Sequence, residues 1–330
     1  MKTRKLGNFE VSAIGLGCMS MSQAYGTPDP DESEKTLRRA LEIGYTFFDT
    51  ASVYGAGHNE ELIGRVLGPY RDQFTLASKC GIVAGEGGVR GIDGTPENIK
   101  RTCEESLRRL RTDVIDLYYL HRRDFNVPIE DSVGALAELK QEGKIRAIGL
   151  SEVSSKTLRR AHEVHPITAL QSEYSLWTRN PEHRVLPACR ELGIAFVPFS
   201  PLGRGFLTGT IREPERDLEA NDLRHRQPRF QERNFSNNLM LLKEFERIAR
   251  DNNCTMAQLA LAWVLAQENA TLIPVPGTKH VKYVEENAAA TDLDISAADL
   301  ARAGMIINAE TVSGNRYPAD SKVPVDEDES

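Results

Sequence analysis

The sequence predicts a single (β/α)8 barrel, or TIM barrel, with a β-hairpin before it and extra helices after it. Short segments rich in β-branched residues alternate with helical segments, and the eight strands predicted in this way are the number that closes a parallel barrel. A length of 330 residues suits one α/β barrel, so residues 1–330 are expected to form one domain, with a C-terminal loop and tail from about residue 308. No Gly-x-Gly-x-x-Gly run follows the first strand, which disfavours a doubly wound open sheet.

The first half of the chain carries the hairpin and four strand–helix units. The hairpin covers residues 3–12 and turns at Gly7-Asn8. Thr95 and Pro96 are typical of the N-cap and first turn of a helix. The glycine-rich segment 81–94 is interpreted as a mobile loop. The predicted strands cover residues 14–19, 46–50, 74–79 and 114–121, and the predicted helices cover about 31–43, 60–67, 96–110 and 130–141.

The second half keeps this order until a long polar segment, 203–234, which is rich in Arg, Pro, Asp and Glu. Two helices, the eighth strand and two final helices follow, and Ser296 and Asp299 have the spacing of a capping box. The acidic end, 325–330, is expected to be a solvated tail. The predicted strands cover residues 145–151, 169–174, 194–200 and 272–275, and the predicted helices cover about 155–163, 182–192, 237–251, 256–267, 280–290 and 296–307.

Composition narrows the possible partners. The net charge of -7 and the pI near 5.6 argue against a nucleic-acid-binding surface. The five cysteines are scattered and odd in number, which indicates reduced thiols in a cytoplasmic protein rather than disulfides or a zinc site. No stretch approaches the length of a membrane span. We therefore expect a cytoplasmic monomer or homo-oligomer that acts on a small molecule and holds no metal.

Four titratable residues of four types are predicted to meet at the mouth of the barrel. Asp49, Lys79 and His121 end the second, third and fourth strands, and Tyr54 lies in the loop after the second. A single lysine or histidine at a strand end is usually an ordinary surface or hydrogen-bonding residue. Because the C-terminal ends of barrel strands converge on one face, their joint placement indicates a catalytic site.

These residues resemble the catalytic tetrad of the aldo-keto reductases in order and spacing. The resemblance extends over nearly the whole chain, through Gly149-Leu150-Ser151, Gln171-Ser172-Glu173-Tyr174, the 199–205 segment, Pro274-Val275-Pro276-Gly277 and Glu286-Asn287.

The resemblance implies an oxidoreductase that reduces aldehydes or ketones to alcohols by direct hydride transfer from NADPH. Tyr54 is then the general acid, and Lys79 lowers its pKa. Asp49 holds Lys79 in place and charged, and a neutral His121 orients the carbonyl oxygen of the substrate.

The resemblance also implies a binding site for the nicotinamide cofactor. Ser151 and Gln171 are expected at the carboxamide, Phe199 on the ring, and the cations after the eighth strand at the 2′-phosphate, which favours NADPH over NADH. The full set comprises Ser151, Glu152, Gln171, Phe199, Ser200, Leu202, Gly203, Arg204, Gly205, Gly277, Thr278, Lys279, Lys282, Glu286 and Asn287.

Two residues depart from the pattern of the family. Glu152 stands where an asparagine is common, and a carboxylate can accept a hydrogen bond from the carboxamide nitrogen but cannot donate one to its oxygen. Tyr283 stands where an arginine is frequent, so Lys279 and Lys282 have to carry the charge that meets a 2′-phosphate.

Apolar and aromatic residues are expected to line the substrate pocket, which would suit aryl or medium-sized aldehydes and ketones. Trp177 either walls this pocket or packs on a neighbouring loop. The residues predicted to line it are Met21, Tyr25, Phe125 and Trp177.

Two other functions remain open at this point. One is a redox-sensing regulatory subunit that binds a nicotinamide cofactor, since the resemblance also touches channel β subunits. The other is a barrel hydrolase or lyase that uses no nicotinamide. Turnover of an aromatic aldehyde distinguishes a reductase from a regulatory subunit. Absence of NADPH fluorescence quenching on titration would favour the hydrolase or lyase.

Overall fold

A parallel β-sheet surrounded by helices forms the centre of the computed structural model, which describes residues 1–84, 90–267, 270–321 and 325–328. Over those residues the strands are β1 (Thr3–Leu6), β2 (Phe9–Ser12), β3 (Leu16–Gly17), β4 (Phe47–Asp49), β5 (Thr75–Cys80), β6 (Ile82–Ala84), β7 (Arg90–Ile92), β8 (Ile115–Leu120), β9 (Ile145–Ser151), β10 (Ala169–Glu173) and β11 (Ala195–Phe199).

The helices cover the outside of this sheet, and five of the eleven α-helices in the described residues start at a side-chain cap that the sequence supplies. Thr95 accepts from the Asn98 amide at the start of its helix, as predicted. The α-helices are α1 (Pro30–Glu42), α2 (His58–Leu67), α3 (Pro96–Leu110), α4 (Ile129–Gln141), α5 (Ser155–Val164), α6 (Val185–Leu192), α7 (Pro214–Asp217), α8 (Glu232–Asp251), α9 (Met256–Leu265), α10 (Val281–Ala289) and α11 (Ala297–Ile306).

The sheet closes on itself through the segment 271–277. Its strands are parallel in the order β11-β10-β9-β8-β5-β4-β3. On the β11 side, the Ile273 amide donates to the Phe196 carbonyl at 2.9 Å, and on the β3 side, the Gly15 amide donates to the Pro274 carbonyl at 2.9 Å. The barrel prediction is confirmed.

The predicted eighth strand, 272–275, forms isolated bridges instead of a continuous ladder. Pro274 and Pro276 accept from β3 through their carbonyls but have no N–H to return, so half of the ladder bonds on that side are missing. The position in the barrel was predicted correctly, but the regular strand was not.

Alternating residues of the strands separate two apolar layers. Phe47 and Tyr119 point into the barrel, while their neighbours Phe48 and Tyr118 pack under the helices. The β1–β2 hairpin contributes Leu6 and Val11 to the inner layer. The hairpin therefore plugs the barrel at the end opposite the C-terminal ends of the strands.

The segment 81–94 is more regular than the loop predicted there. β6 and β7 pair antiparallel, with Ile82 opposite Ile92. Residues 85–89, the most glycine-rich part of the prediction, lie outside the described residues.

The acidic tail contacts the body of the protein instead of extending into solvent. Asp326 pairs with Arg123 at 3.1 Å, and the Asp328 carboxylate accepts from the Ser155 amide at 2.9 Å. An anion is favourable at that place because Ser155 is the first residue of α5, where free amides and the helix dipole concentrate positive charge. The prediction of a solvated end is wrong for residues 325–328.

Candidate active site

The C-terminal ends of β4, β5 and β8 bring the four predicted catalytic residues together. Asp49 ends β4, Lys79 lies near the end of β5, and His121 directly follows β8. Tyr54 begins a short 3-10 turn after β4. Register places Asp49 beside Ala77 and Lys79 beside Tyr119, so adjacent strand ends deliver these side chains to one point.

Asp49 and Lys79 form a buried ion pair at the centre of the site. The Lys79 ammonium is fully buried and donates to Asp49 Oδ1 at 2.5 Å and to the Thr50 carbonyl at 2.7 Å. Burial lowers the pKa of Lys79, but the charges of Asp49 and Tyr54 and the hydrogen bonds to them together outweigh burial, and the pKa is raised overall. Lys79 is therefore held in place as a cation.

Tyr54 lies between this ion pair and His121. The Lys79 ammonium is 5.1 Å from the centroid of the Tyr54 ring, and the Tyr54 and His121 rings meet edge to face at 5.8 Å. Burial raises the pKa of Tyr54 by more than Lys79 lowers it, so the expected net lowering is wrong. The phenol keeps its proton at neutral pH, which is the form that an acid requires.

The ends of β9 and β10 add polar groups next to this cluster. Gln171 donates from Nε2 to the second oxygen of Asp49 at 2.8 Å. The Ser151 hydroxyl accepts from Arg122 at 3.0 Å. Asp49 thus has both oxygens occupied, one by Lys79 and one by Gln171.

Glu152 belongs to a second buried ion-pair cluster at the rim of the barrel. Its backbone has a positive φ of 54°, and one oxygen accepts from the Glu173 amide at 2.9 Å. The other accepts from Arg316 at 2.5 Å. Glu152, which replaces the asparagine common in the family, therefore pairs with an arginine from the C-terminal segment.

Glu173 joins two arginines in the same cluster. One carboxylate oxygen accepts from Arg316 at 2.9 Å and from Arg204 at 3.0 Å. Both guanidinium groups also lie over the ring of Tyr317, at 4.7 and 5.4 Å from its centroid. The cluster fastens the segment around Tyr317 across the barrel mouth.

A cavity of about 730 Å³ runs along the mouth from Tyr54 to α10. Most of the predicted site residues line it. These are Tyr25, Asp49, Tyr54, His121, Ser151, Gln171, Phe199, Ser200, Leu202, Arg204, Gly205, Gly277, Thr278, Lys279, Glu286 and Asn287.

The remaining predicted cofactor residues lie behind or beside this lining. Glu152 faces the rim cluster. The amide of Gly203 donates to the Ser200 carbonyl at 2.9 Å within its own loop. The Lys282 ammonium rests 4.5 Å from the centroid of the Tyr283 ring.

Three residues predicted for the substrate pocket lie elsewhere. Met21 is fully buried in the outer core. Trp177 stacks on Phe206 at 4.2 Å, so of its two proposed roles it takes the packing one. Phe125 is 53% exposed and lies beside Arg123. These three residues lie outside the α-helices and β-strands. The sequence there has no helical or strand periodicity, so the direction of each side chain could not be predicted from it.

The cavity also contains residues that the sequence did not single out. Arg122 follows His121 and lines the cavity, and a charged residue directly after a strand end was a usable signal. Tyr317 and Val325 come from the C-terminal segment.

The lining fits a long, polar dinucleotide. It carries amide-binding and hydroxyl groups, Gln171, Ser151 and Thr278, together with the cations Arg204 and Lys279. Arg204 and Gly205 have positive φ values of 56° and 90°, so the chain turns sharply at the cavity wall. The Lys279 ammonium donates to the Tyr25 carbonyl at 2.9 Å and thereby also ties down the neighbouring loop.

Two features are absent from residues 1–84, 90–267, 270–321 and 325–328. Those residues hold no cluster of three or more His, Cys, Asp or Glu side chains placed to bind a metal ion. None of their helices combines the length and apolar character needed to cross a lipid bilayer.

Comparison with known proteins gives consistent matches. The model of the Aldo/keto reductase family matches residues 13–307. Probable aldo-keto reductase 1 of Glycine max is 44% identical over 317 residues, which cover 95% of this chain and 91% of that protein. Aldo-keto reductase yakc of Schizosaccharomyces pombe, whose name includes NADP(+), is 44% identical over 332 residues, which cover 98% of this chain and 97% of that protein.

Solved structures agree over almost the full length. The glycerol dehydrogenase AKR11B4 from Gluconobacter oxydans has a TM-score of 0.84 and 30% identity, covering 96% of this chain and 97% of that chain. The aldo-keto reductase AKR11C1 from Bacillus halodurans, in its holo form, has a TM-score of 0.77 and 28% identity, covering 95% of this chain and 98% of that chain.

Proposed function

This chain belongs to the aldo-keto reductase family, and we propose that it reduces aldehydes or ketones to alcohols with a hydride from NADPH. The resemblance drawn from the motifs is confirmed by the family match. One observation carries the proposal: Tyr54 lies between a buried Lys79–Asp49 ion pair and His121, and it opens onto the cavity.

The residues of the chain orient the carbonyl oxygen of the substrate and give it a proton. When bound, the cofactor supplies the hydride that the carbonyl carbon accepts. The former carbonyl oxygen gains negative charge, and Tyr54 gives it a proton, so the product is a neutral alcohol. The Lys79 ammonium offsets the charge left on the phenolate, and His121 donates a hydrogen bond to the oxygen and orients it. Solvent returns the proton to Tyr54.

NADPH is proposed over NADH. Lys279 lines the cavity, and Lys282 lies next to Tyr283 on α10. The name of the fission yeast relative includes NADP(+), which supports the same cofactor here. The ratio of kcat/KM with NADPH to that with NADH tests this choice, and a clear preference for NADH would overturn it.

The central test replaces Tyr54 by phenylalanine. With 4-nitrobenzaldehyde and NADPH, Tyr54→Phe should lose at least about a hundredfold in kcat, because the proton donor is gone. NADPH binding, followed by its fluorescence, should remain.

A matched control is Tyr45→Phe, which removes the hydroxyl of a tyrosine outside the cavity lining that donates to the Val284 carbonyl at 3.0 Å. Its kcat should stay at the wild-type value. If Tyr54→Phe keeps wild-type kcat, the assignment of the acid is wrong. If the wild-type protein binds NADPH but turns over no carbonyl compound, a sensing subunit is the better reading.

A further inference from the structure

Arg122 is a buried cation at the reacting end of the cavity with no part in the mechanism above. It lines the cavity and is only 9% exposed. Its Nη1 donates to the His121 carbonyl at 2.6 Å and to the Ser151 hydroxyl at 3.0 Å. Among the described residues Arg122 pairs with no carboxylate, and its buried Nε has no hydrogen-bond acceptor.

Other arginines that line the same cavity are neutralised. Arg204 donates to Glu173 at 3.0 Å, and Arg224 donates to Asp222 at 2.7 Å. A guanidinium that is buried without an opposing charge is costly unless something else accepts its hydrogen bonds. Arg122 is therefore placed to meet an acceptor that a ligand brings.

Two other residues expected at the carboxamide, Glu152 and Gln171, have donor or acceptor groups already in use. Both Glu152 oxygens are occupied, by the Glu173 amide and by Arg316, and a carboxylate donates nothing. Gln171 gives one of its two Nε2–H donors to Asp49, and its Oε1 remains an acceptor. This end of the cavity therefore offers an acceptor for an amine, and Arg122 is the cation there that can donate to an oxygen.

We propose that Arg122 binds the carboxamide oxygen of the nicotinamide ring. The inference rests on the proposed function, because hydride transfer requires that ring to lie beside the substrate carbonyl at Tyr54 and His121. A carboxamide presents one acceptor oxygen and one amine. Arg122 and the Ser151 hydroxyl serve the oxygen, and Gln171 Oε1 serves the amine. Arg122 thus supplies the donor that Glu152 cannot.

The test compares ligands with and without the carboxamide. Isothermal titration calorimetry of Arg122→Met should show NADP+ affinity reduced about tenfold or more, as for loss of a charge-assisted hydrogen bond. Affinity for ADP-ribose 2′-phosphate, which lacks the nicotinamide ring, should be unchanged. The 3-acetylpyridine analogue of NADP+ keeps the carbonyl oxygen and loses the amine, so it should show the same reduction.

Two further variants sharpen the result. Arg122→Lys keeps a cationic donor and should lose less NADP+ affinity than Arg122→Met. Arg123→Met is the matched control, because Arg123 pairs with Asp326 and lies outside the cavity lining. It should bind NADP+ as the wild type does.

Four results would overturn the inference. The first is equal NADP+ affinity in Arg122→Met and the wild type. The second is a raised KM for carboxylate-bearing aldehydes alone, which would make Arg122 a substrate residue. The third is equal loss of NADP+ and ADP-ribose 2′-phosphate, which would mean that Arg122 supports the whole cavity. The fourth is an acetylpyridine analogue that is insensitive to Arg122→Met. Failure of the wild type to bind NADP+ is distinct, since it would refute the proposed function itself.

Discussion

Two clusters of buried charge lie at the mouth of this barrel, and the chain builds them in different ways. The central cluster, Asp49 and Lys79, joins the ends of two adjacent strands. The rim cluster, formed by Glu152, Glu173, Arg204 and Arg316, joins residues up to 164 positions apart. Both clusters are buried, and each balances positive with negative charge.

The two clusters differ in what they leave available. In the central cluster, the fixed ammonium of Lys79 lies beside a tyrosine that opens onto the cavity. In the rim cluster, the carboxylate oxygens of Glu152 and Glu173 are all occupied by protein donors. We infer that the first cluster serves chemistry and the second holds the C-terminal segment in place.

Replacing Lys79 by methionine should separate these roles most clearly. Without the ammonium, the Tyr54 phenolate loses its stabilising charge, so kcat for aldehyde reduction should fall about a hundredfold to ten-thousandfold. Steady-state NADPH consumption measures this. Lys100→Met, at an exposed ion pair with Glu138, is the control and should keep wild-type kcat. An active Lys79→Met enzyme would contradict the role of the central cluster.

Replacing Arg316 by methionine should act on stability. It leaves Glu152 and Glu173 buried with one fewer cation, so the free energy of unfolding should fall by about 3–5 kcal/mol. Urea denaturation measures this. Arg159→Met breaks an exposed pair with Glu191, and its cost should stay below about 1 kcal/mol. Equal stability of the two variants would show that the rim cluster contributes no more to folding than an exposed ion pair does.

The pH dependence of stability should also report on the rim cluster. Burial alone would raise the pKa of Glu173, but Arg316 and Arg204 outweigh it and lower the pKa to about 2. Between pH 4.5 and about 2 the unfolded chain therefore binds a proton that the folded chain does not. This stabilisation, about 3 kcal/mol, is complete above the unfolded pKa and is lost as the pH falls.

Glu173→Gln tests that interpretation. The variant should be less stable at neutral pH, and its stability should fall less steeply than that of the wild type between pH 6 and pH 3. Chemical denaturation at a series of pH values measures both slopes. Parallel slopes would show that Glu173 is not the titrating group.

The tetrad could be predicted because each of its members follows a recognisable strand. Asp49, Lys79 and His121 end apolar runs, and parallel strands in a barrel bring their ends to one face. The position of segment 271–277 was equally predictable, but Pro274 and Pro276 interrupted its ladder. The local sequence pattern therefore predicted the order of the strands and helices more reliably than it predicted whether each strand forms a continuous hydrogen-bonded ladder.

Residues outside this pattern were predicted less well. Met21 and Trp177 were assigned to the pocket for their apolar character, yet they pack into the core, because apolar character does not specify which core or cavity a loop residue faces. The acidic tail was predicted to be solvated from its charge, but the amides at the start of α5 and Arg123 bind it. Charge alone does not say whether a partner lies within reach.

The sequence by itself determined the barrel and the convergence of Asp49, Tyr54, Lys79 and His121, since both depend on local periodicity and on residues at strand ends. Its motifs also carried the resemblance to the family. Only the tertiary structure decided that Glu152 binds Arg316, that Tyr317 lines the cavity, and that burial outweighs Lys79 in setting the pKa of Tyr54. These outcomes depend on distances between residues remote in the chain and on how much water each group loses, and neither quantity is encoded in a local pattern.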